Sequence, residues 1–225
     1  MRTVYKPAGL SVFPLHDDPG GDCVLARLLA AESARVGEPW RPGFEGGIAH
    51  RLDRSTSGAI LVADDPGELE RIREAFRGRA LRKTYRFVAA KDVPWSENIC
   101  EVRIAHDRRR KGRMVAERGA STPHRGRWHD ARTRFQRVSG RLWQAEMRTG
   151  VMHQIRLHAA FVGIPLLGDR RYGGGPTPAG APDGVDFFLH HLGLSGPGVA
   201  TTPVARPAWT HSGWRPGQSS KSSGQ

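Results

Sequence analysis

The sequence predicts an α+β domain built on a mostly antiparallel sheet, with few helices. Three observations carry that expectation. Apolar and polar residues alternate in short runs such as LRKTYRFVAA at 81–90, the period of a half-buried strand. Helical spacing occurs only in short stretches, near 23–36, 65–77 and 153–162. The runs 131–138 and 141–149 meet at Ser139-Gly140, a turn that joins antiparallel neighbours.

Residues 2–6 (RTVYK) read as the first strand, ended by the turn Pro7-Ala8-Gly9. Asp22 is the expected N-cap of a helix over 23–36 with Val24, Leu25, Leu28 and Leu29 on one side and Gly37 as its stop. The Gly- and Pro-rich stretch 37–47 reads as loop, and strands are expected at 47–52 and 58–63. Asp65-Pro66 opens a second helix, in which Leu69, Ile72 and Phe76 recur at helical spacing before Gly78; proline suits a first turn because its missing N–H has no partner there anyway. In the strand at 81–90, Lys83, Tyr85 and Phe87 share one face by the period of two. Further strands are expected at 98–104, 131–138 and 141–149, then a helix at 153–162 stopped by Gly163-Ile164-Pro165, then a strand at 187–194. One domain is therefore expected over 1–200, and 201–225, ending SSKSSGQ, reads as a disordered Pro/Ser/Gly-rich tail.

The 225 residues are 38% hydrophobic and 25% charged, the profile of a globular protein rather than a disordered one. No apolar run approaches the ~20 residues of a membrane span, and MRTVYKPAG lacks the apolar stretch of a signal peptide. Cys23 and Cys100 are too few and too far apart for a disulfide framework or a Cys-rich metal site. A reducing, cytoplasmic setting and a monomer are expected, with no membrane partner. The net charge of +13 is concentrated, with 13 Lys/Arg against four Asp/Glu in 101–141. Arg108, Arg109, Arg110, Lys111 and Arg113 form its densest part. Arginine's planar fork suits phosphate, so a nucleic-acid partner is expected.

One carboxylate stands out. In HRLDRSTSG, residues 50–58, Asp53 lies between Arg51 and Arg54 and is followed by three hydroxyl residues. A lone Asp in a turn is ordinarily a turn former or cap. Here the insert is longer and more polar than a hairpin between the flanking strands needs. A second polar cluster, RTGVMHQIRLH at 148–158, could meet it. On a helix His153 and Arg156 share a face, and an inward arginine calls for a carboxylate, for which Asp53 is the candidate. Such a pair either holds a working acid ionised and oriented or is a plain structural strut. Tyr85, beside Lys83 on its strand face, suits a core edge or a stacking platform.

Five blocks in this order resemble the pseudouridine synthases, in particular the RluA-type branch that modifies ribosomal and transfer RNA. They are KPAGLSVFP at 6–14, HRLDRSTSGAILVA at 50–63, RKTYRFVA at 82–89, TGVMHQIRLHAAFVGIPLLGDRRYG at 149–173 and FFLHHLGLS at 187–195. The resemblance implies an eight-stranded mixed sheet with a central cleft, and isomerisation of uridine to its C-glycoside without metal or organic cofactor. It implies Asp53 as the catalytic acid, Tyr85 as the aromatic against the target base, Arg156 as the partner of Asp53, and Leu157 as an apolar wall of the pocket. Arg51, Leu52, Arg54, Lys83 and His153 would then contact the substrate, and the run 108–113 would contact RNA. Val151 and Met152 depart from the family's usual Arg and Thr before the HQIR segment. No S4-like segment precedes the first block, so target recognition is expected to rest on the catalytic domain.

Three other readings fit less well. A silent RNA binder on this scaffold predicts loss of Asp53, Tyr85 or Arg156, and all three are present. A metal hydrolase using His153, His158, His190 and His191 lacks HExxH and a shared helical face. A serine hydrolase using Ser57 lacks the G-x-S-x-G elbow.

Overall fold

The computed structural model describes residues 1–211. In chain order the elements are β1 (Arg2–Lys6), α1 (Val24–Ala31), β2 (Ser57–Val62), α2 (Pro66–Arg77), β3 (Arg82–Val88), β4 (Glu97–Cys100), β5 (Ile104–Asp107), β6 (Met114–Ala116), β7 (His124–His129), β8 (Thr133–Ser139), β9 (Leu142–Met147), α3 (Gln154–Phe161), β10 (Leu189–Gly196) and β11 (Val199–Ala200). Eight strands form one sheet in the order β1-β2-β10-β3-β9-β8-β4, with β11 folded back on β10. The pairing is antiparallel except between β10 and β2, where His190 and His191 lie beside Ser57 and Gly58. The expected α+β class and mixed eight-stranded sheet are both found. A separate sheet, β6-β5-β7, was not expected.

Alternation along the strands divides the core. Ile60 and Val62 of β2 join the main cluster with Phe87, Phe135, Trp143 and Ile155. Leu61, between them, points to the other face and packs with Leu69 and Ile72 of α2. The small sheet has its own cluster, in which Ile104 and Met114 pack against Leu157 of α3 and Tyr172.

Several boundaries differ from expectation for physical reasons. Asp22 is not the first helix's cap, because Arg27 engages its carboxylate through Nε and Nη2 at 2.8 and 2.5 Å. Cys23 takes that place, its Sγ accepting the Ala26 N–H at 3.3 Å. That helix ends at Ala31 and continues only as a 3-10 turn over Ser33–Gly37. The segment 47–52 is not a strand. It covers the stretch of β2 that β10 leaves unpaired beyond Gly58, where Ala49 N–H bonds Leu61 O and the His50 imidazole accepts the Leu61 N–H. The run expected as one strand at 98–104 splits between β4 in the main sheet and β5 in the small one. Residues 201–211, expected as tail, include Trp209, which is buried edge-on against Phe188. The rest of the expected tail, 212–225, lies outside the described residues.

The two strand histidines are held neutral. Burial pulls His190 down to about 4 and His191 down to about 3. The unfolded chain therefore binds more protons between these values and the ordinary histidine range near 6.5, and stability falls as pH falls through that window. Urea midpoints followed from pH 7 to 4.5 are expected to drop. In His190→Gln the drop should be shallower, by about one proton taken up on unfolding.

Candidate active site

The polar insert between the first two strands is stitched to the N-terminal segment from beneath. Lys6, fully buried, places Nζ on the carbonyls of Pro7, Leu10 and Arg54 at 2.9, 2.7 and 2.9 Å. All three ammonium protons thus have acceptors. Gly9 N–H bonds Arg54 O at 2.9 Å, and Arg54 Nε returns a bond to Gly9 O at 2.8 Å. Ser55 donates a short hydrogen bond to Asp186, and Thr56 N–H closes the turn on Asp53 O at 3.0 Å. The loop cannot swing, so the Asp53 carboxylate has a set direction.

That direction is into a cleft of about 1040 Å³. Arg156 meets Asp53 there, Nη1 to Oδ2, at 3.2 Å. The same guanidinium is held from behind by Asp169, Nε to Oδ2 at 2.6 Å and Nη2 to Oδ1 at 3.0 Å. Its charge also lies 4.1 Å from the Phe187 ring centroid. Asp169 is 2% exposed, whereas the Asp53 side chain is 34% exposed. One arginine therefore joins a buried anchoring carboxylate to an open one.

His153 precedes α3 in a left-handed conformation, φ 56°, uncommon for a non-glycine residue. Met114 N–H donates to Tyr172 Oη at 3.0 Å, leaving the phenolic hydrogen for His153 Nδ1 at 2.9 Å. With the phenol donating, the imidazole proton sits on Nε2, which faces Asp53 Oδ2 at 3.9 Å. Burial pulls His153 down to about 4, against the upward pull of Asp53, so the ring is neutral at neutral pH. Tyr85 lines the cleft beside Asp53, with its ring 4.5 Å from that of His191. Burial first, then the Asp53 charge, raises its phenol far above the usual tyrosine range. Tyr85 thus offers a ring face and an O–H rather than a phenolate base. Lys83, on the same strand face, donates to Thr149 O at 3.2 Å, and burial lowers its ammonium to about 8.

Most residues singled out in the sequence meet here: Arg51, Leu52, Arg54, Lys83 and Tyr85 line the cleft with Asp53, His153 and Arg156. Leu157 does not. One position beyond Arg156 on the helix, it turns away onto Ile104 and Met114, and Ile155 lines the cleft in its place. The run 108–113 forms the tip of the β5–β6 hairpin, and Arg171 at the cleft mouth bonds the Gly112 carbonyl. Sequence reasoning missed Asp169, Tyr172 and Lys6. All three stand within the quoted blocks, in GDRRYG and KPAGL, but nothing local told which acid would be buried. The other histidines weighed as metal ligands are used internally, His191 Nδ1–H bonding Ala59 O at 2.7 Å. His158 bonds Thr133 Oγ1 and Val102 O, both at 2.9 Å, and His190 bonds Ser57 at 2.8 Å.

The fold is one that solved RNA pseudouridylate synthase domains share. A solved human structure, RNA Pseudouridylate Synthase Domain Containing 4, shares the fold with a TM-score of 0.66 at 23% identity, over 92% of this chain and 86% of that one. The sequence profile of the RNA pseudouridylate synthase family matches residues 2–161, and the chain belongs to that family. An uncharacterised RNA pseudouridine synthase of Synechocystis is 31% identical over 90% of this chain and 61% of its own length. Ribosomal large subunit pseudouridine synthase D of Yersinia pestis is 33% identical over 84% of this chain and 55% of its own. The chain thus spans little more than half the length of these curated relatives.

Removing one partner of a buried ion pair strands the other charge, at about 3–5 kcal/mol. Asp169→Asn keeps one acceptor for Arg156, so a loss of about 2–3 kcal/mol in urea unfolding is expected. Asp169→Asn combined with Arg156→Met should recover part of it.

Proposed function

We propose that this chain isomerises specific uridines in structured RNA, ribosomal or transfer, to pseudouridine, with Asp53 as the catalytic carboxylate. The observation that carries the proposal is the half-open Asp53 carboxylate, fixed by Arg156 beside the Tyr85 ring in a basic cleft. The reaction breaks N1–C1′, turns the uracil and forms C5–C1′. The C5 proton is lost and N1 gains one, so the product is an isomer. An ionised carboxylate serves by attacking C1′, as in retaining glycosidases, by taking the C2′ proton to give a glycal, or by adding to the base. Each route needs the detached uracil held in place. Tyr85 supplies the packing face, and Leu52, Ile155 and Leu189 supply further apolar surface.

The target must leave its stack to enter, at a cost of a few kcal/mol. Contacts from Arg51, exposed at the cleft, and from the 108–113 tip to phosphates would offset it. Arg54 is engaged with the Gly9 carbonyl and serves mainly to hold the loop. Cys23 and Cys100 are free and buried, in keeping with a reducing cytoplasm. Among the described residues no helix is long and apolar enough to cross a membrane. The relative named for the large ribosomal subunit makes ribosomal RNA the first substrate to test.

The experiment is tritium release from bulk RNA labelled at uridine C5, using RNA from cells lacking this protein. Asp53→Asn should lose activity by about 10³-fold or more. Tyr85→Phe keeps the ring and should retain most activity, whereas Tyr85→Ala should not. Release by Asp53→Asn at the parent's rate would refute the assignment.

A further inference from the structure

A second cavity, of about 670 Å³, adjoins the cleft, and the chemistry above does not use it. Lys83 and residues 150–152 line both, so the second cavity is a trough that neighbours the cleft across a shared wall. The C-terminal half of α2 supplies Arg73 and Arg77, the turn after it Arg79, the residue after β9 Arg148, and β7 Arg127. Asp130 is the one carboxylate among its described lining residues. Arg77 is shared with Glu70 and Glu74 at 3.8 and 3.7 Å. Arg148 Nη1 bonds the Ala80 carbonyl at 2.7 Å. Among the described residues Arg79, Arg127 and Arg148 have no carboxylate within 4.0 Å and are exposed. Trp128 stands beside them, half-buried, its ring 4.3 Å from that of His124. Uncompensated guanidinium groups around an aromatic face match the two requirements of a single nucleic-acid strand, phosphate neutralisation and base stacking.

Arg79 adds an independent observation. The Ala80 N–H bonds Ala75 O at 2.9 Å and the Arg79 N–H bonds Phe76 O at 3.1 Å. These bonds close α2 in a motif whose left-handed residue is ordinarily glycine. A glycine is available one position earlier, but Gly78 has φ −73° while Arg79 sits at φ 54°. The chain thus carries a steric cost at the one residue of this turn that displays a free cation over the cavity.

We propose that this trough binds the stretch of the RNA strand next to the target uridine. Arg79, Arg127 and Arg148 contact phosphates, and Trp128 is a platform for a flanking base. The assignment rests on the reading of the chain as an enzyme acting on RNA. It is separate from the 108–113 tip, which is tied to Arg171 at the cleft mouth.

The test is fluorescence anisotropy with a short fluorescein-labelled oligouridylate, titrated at several salt concentrations. Arg79→Gly and Arg127→Gln should each weaken binding several-fold and flatten the log K against log salt slope by about 0.7. Trp128→Ala should weaken it on the order of tenfold, with Trp128→Phe restoring most of the loss. Because glycine suits φ 54°, Arg79→Gly should melt at or above the parent's temperature, which separates lost binding from lost folding. A parent that binds, with variants matching it in affinity and slope, overturns the trough alone. A parent that neither binds RNA nor releases tritium overturns the proposed function with it.

Discussion

The site depends on one guanidinium. Arg156 is 7% exposed, and a buried cation is tolerated only when paired and hydrogen-bonded. Asp169 meets that need with both carboxylate oxygens, in the fork-to-fork geometry that only arginine offers. The Nη1 donor left over is what reaches Asp53. The open carboxylate is thereby oriented by a group that is itself immobile. A lysine could not do this, because it has no rigid fork to divide between two acids.

Burial around that pair decides which groups carry charge. His153, His190 and His191 are all pulled below the ordinary histidine range, and the Tyr85 phenol is pushed up, so these side chains are neutral at working pH. The Asp53 carboxylate then stands among neutral rings and cations. Lys6 acts from underneath, turning three carbonyls inward and fixing the loop that bears the acid. The same economy runs through α3. Its left-handed entry at His153 aims an imidazole at Asp53, and its next turn aims Arg156 there.

The small sheet links the basic surface to this machinery. β5 and β6 pack on Leu157 and Tyr172, and Met114 holds the Tyr172 hydroxyl that in turn holds His153. The arginine-rich tip is therefore an extension of a packed hairpin anchored at the cleft mouth. The cationic trough beyond Lys83 continues the same positive surface along the other strand ends.

The local patterns determined much by themselves. Period-two alternation located β3, β8 and β9, and Pro66 with Gly78 bounded α2 closely, because these signals act within a few residues. The HRLD and HQIR stretches pointed to a pairing of Asp53 with Arg156, and that pairing is found, since an inward arginine calls for a carboxylate. Tertiary structure decided the rest. β5 and β6 are short and separated by an arginine-rich run, and their packing on Leu157 of α3, through Ile104 and Met114, is a contact that no local pattern announces. Leu157 and Ile155 are one residue either side of Arg156, and which of them walls the cleft depends on the helix's rotation against the sheet. Asp169 is 13 residues beyond Arg156, and its pairing could not be read locally. Burial is a property of the assembled chain: it makes Asp169 the anchor and leaves the Asp53 carboxylate open to the cleft.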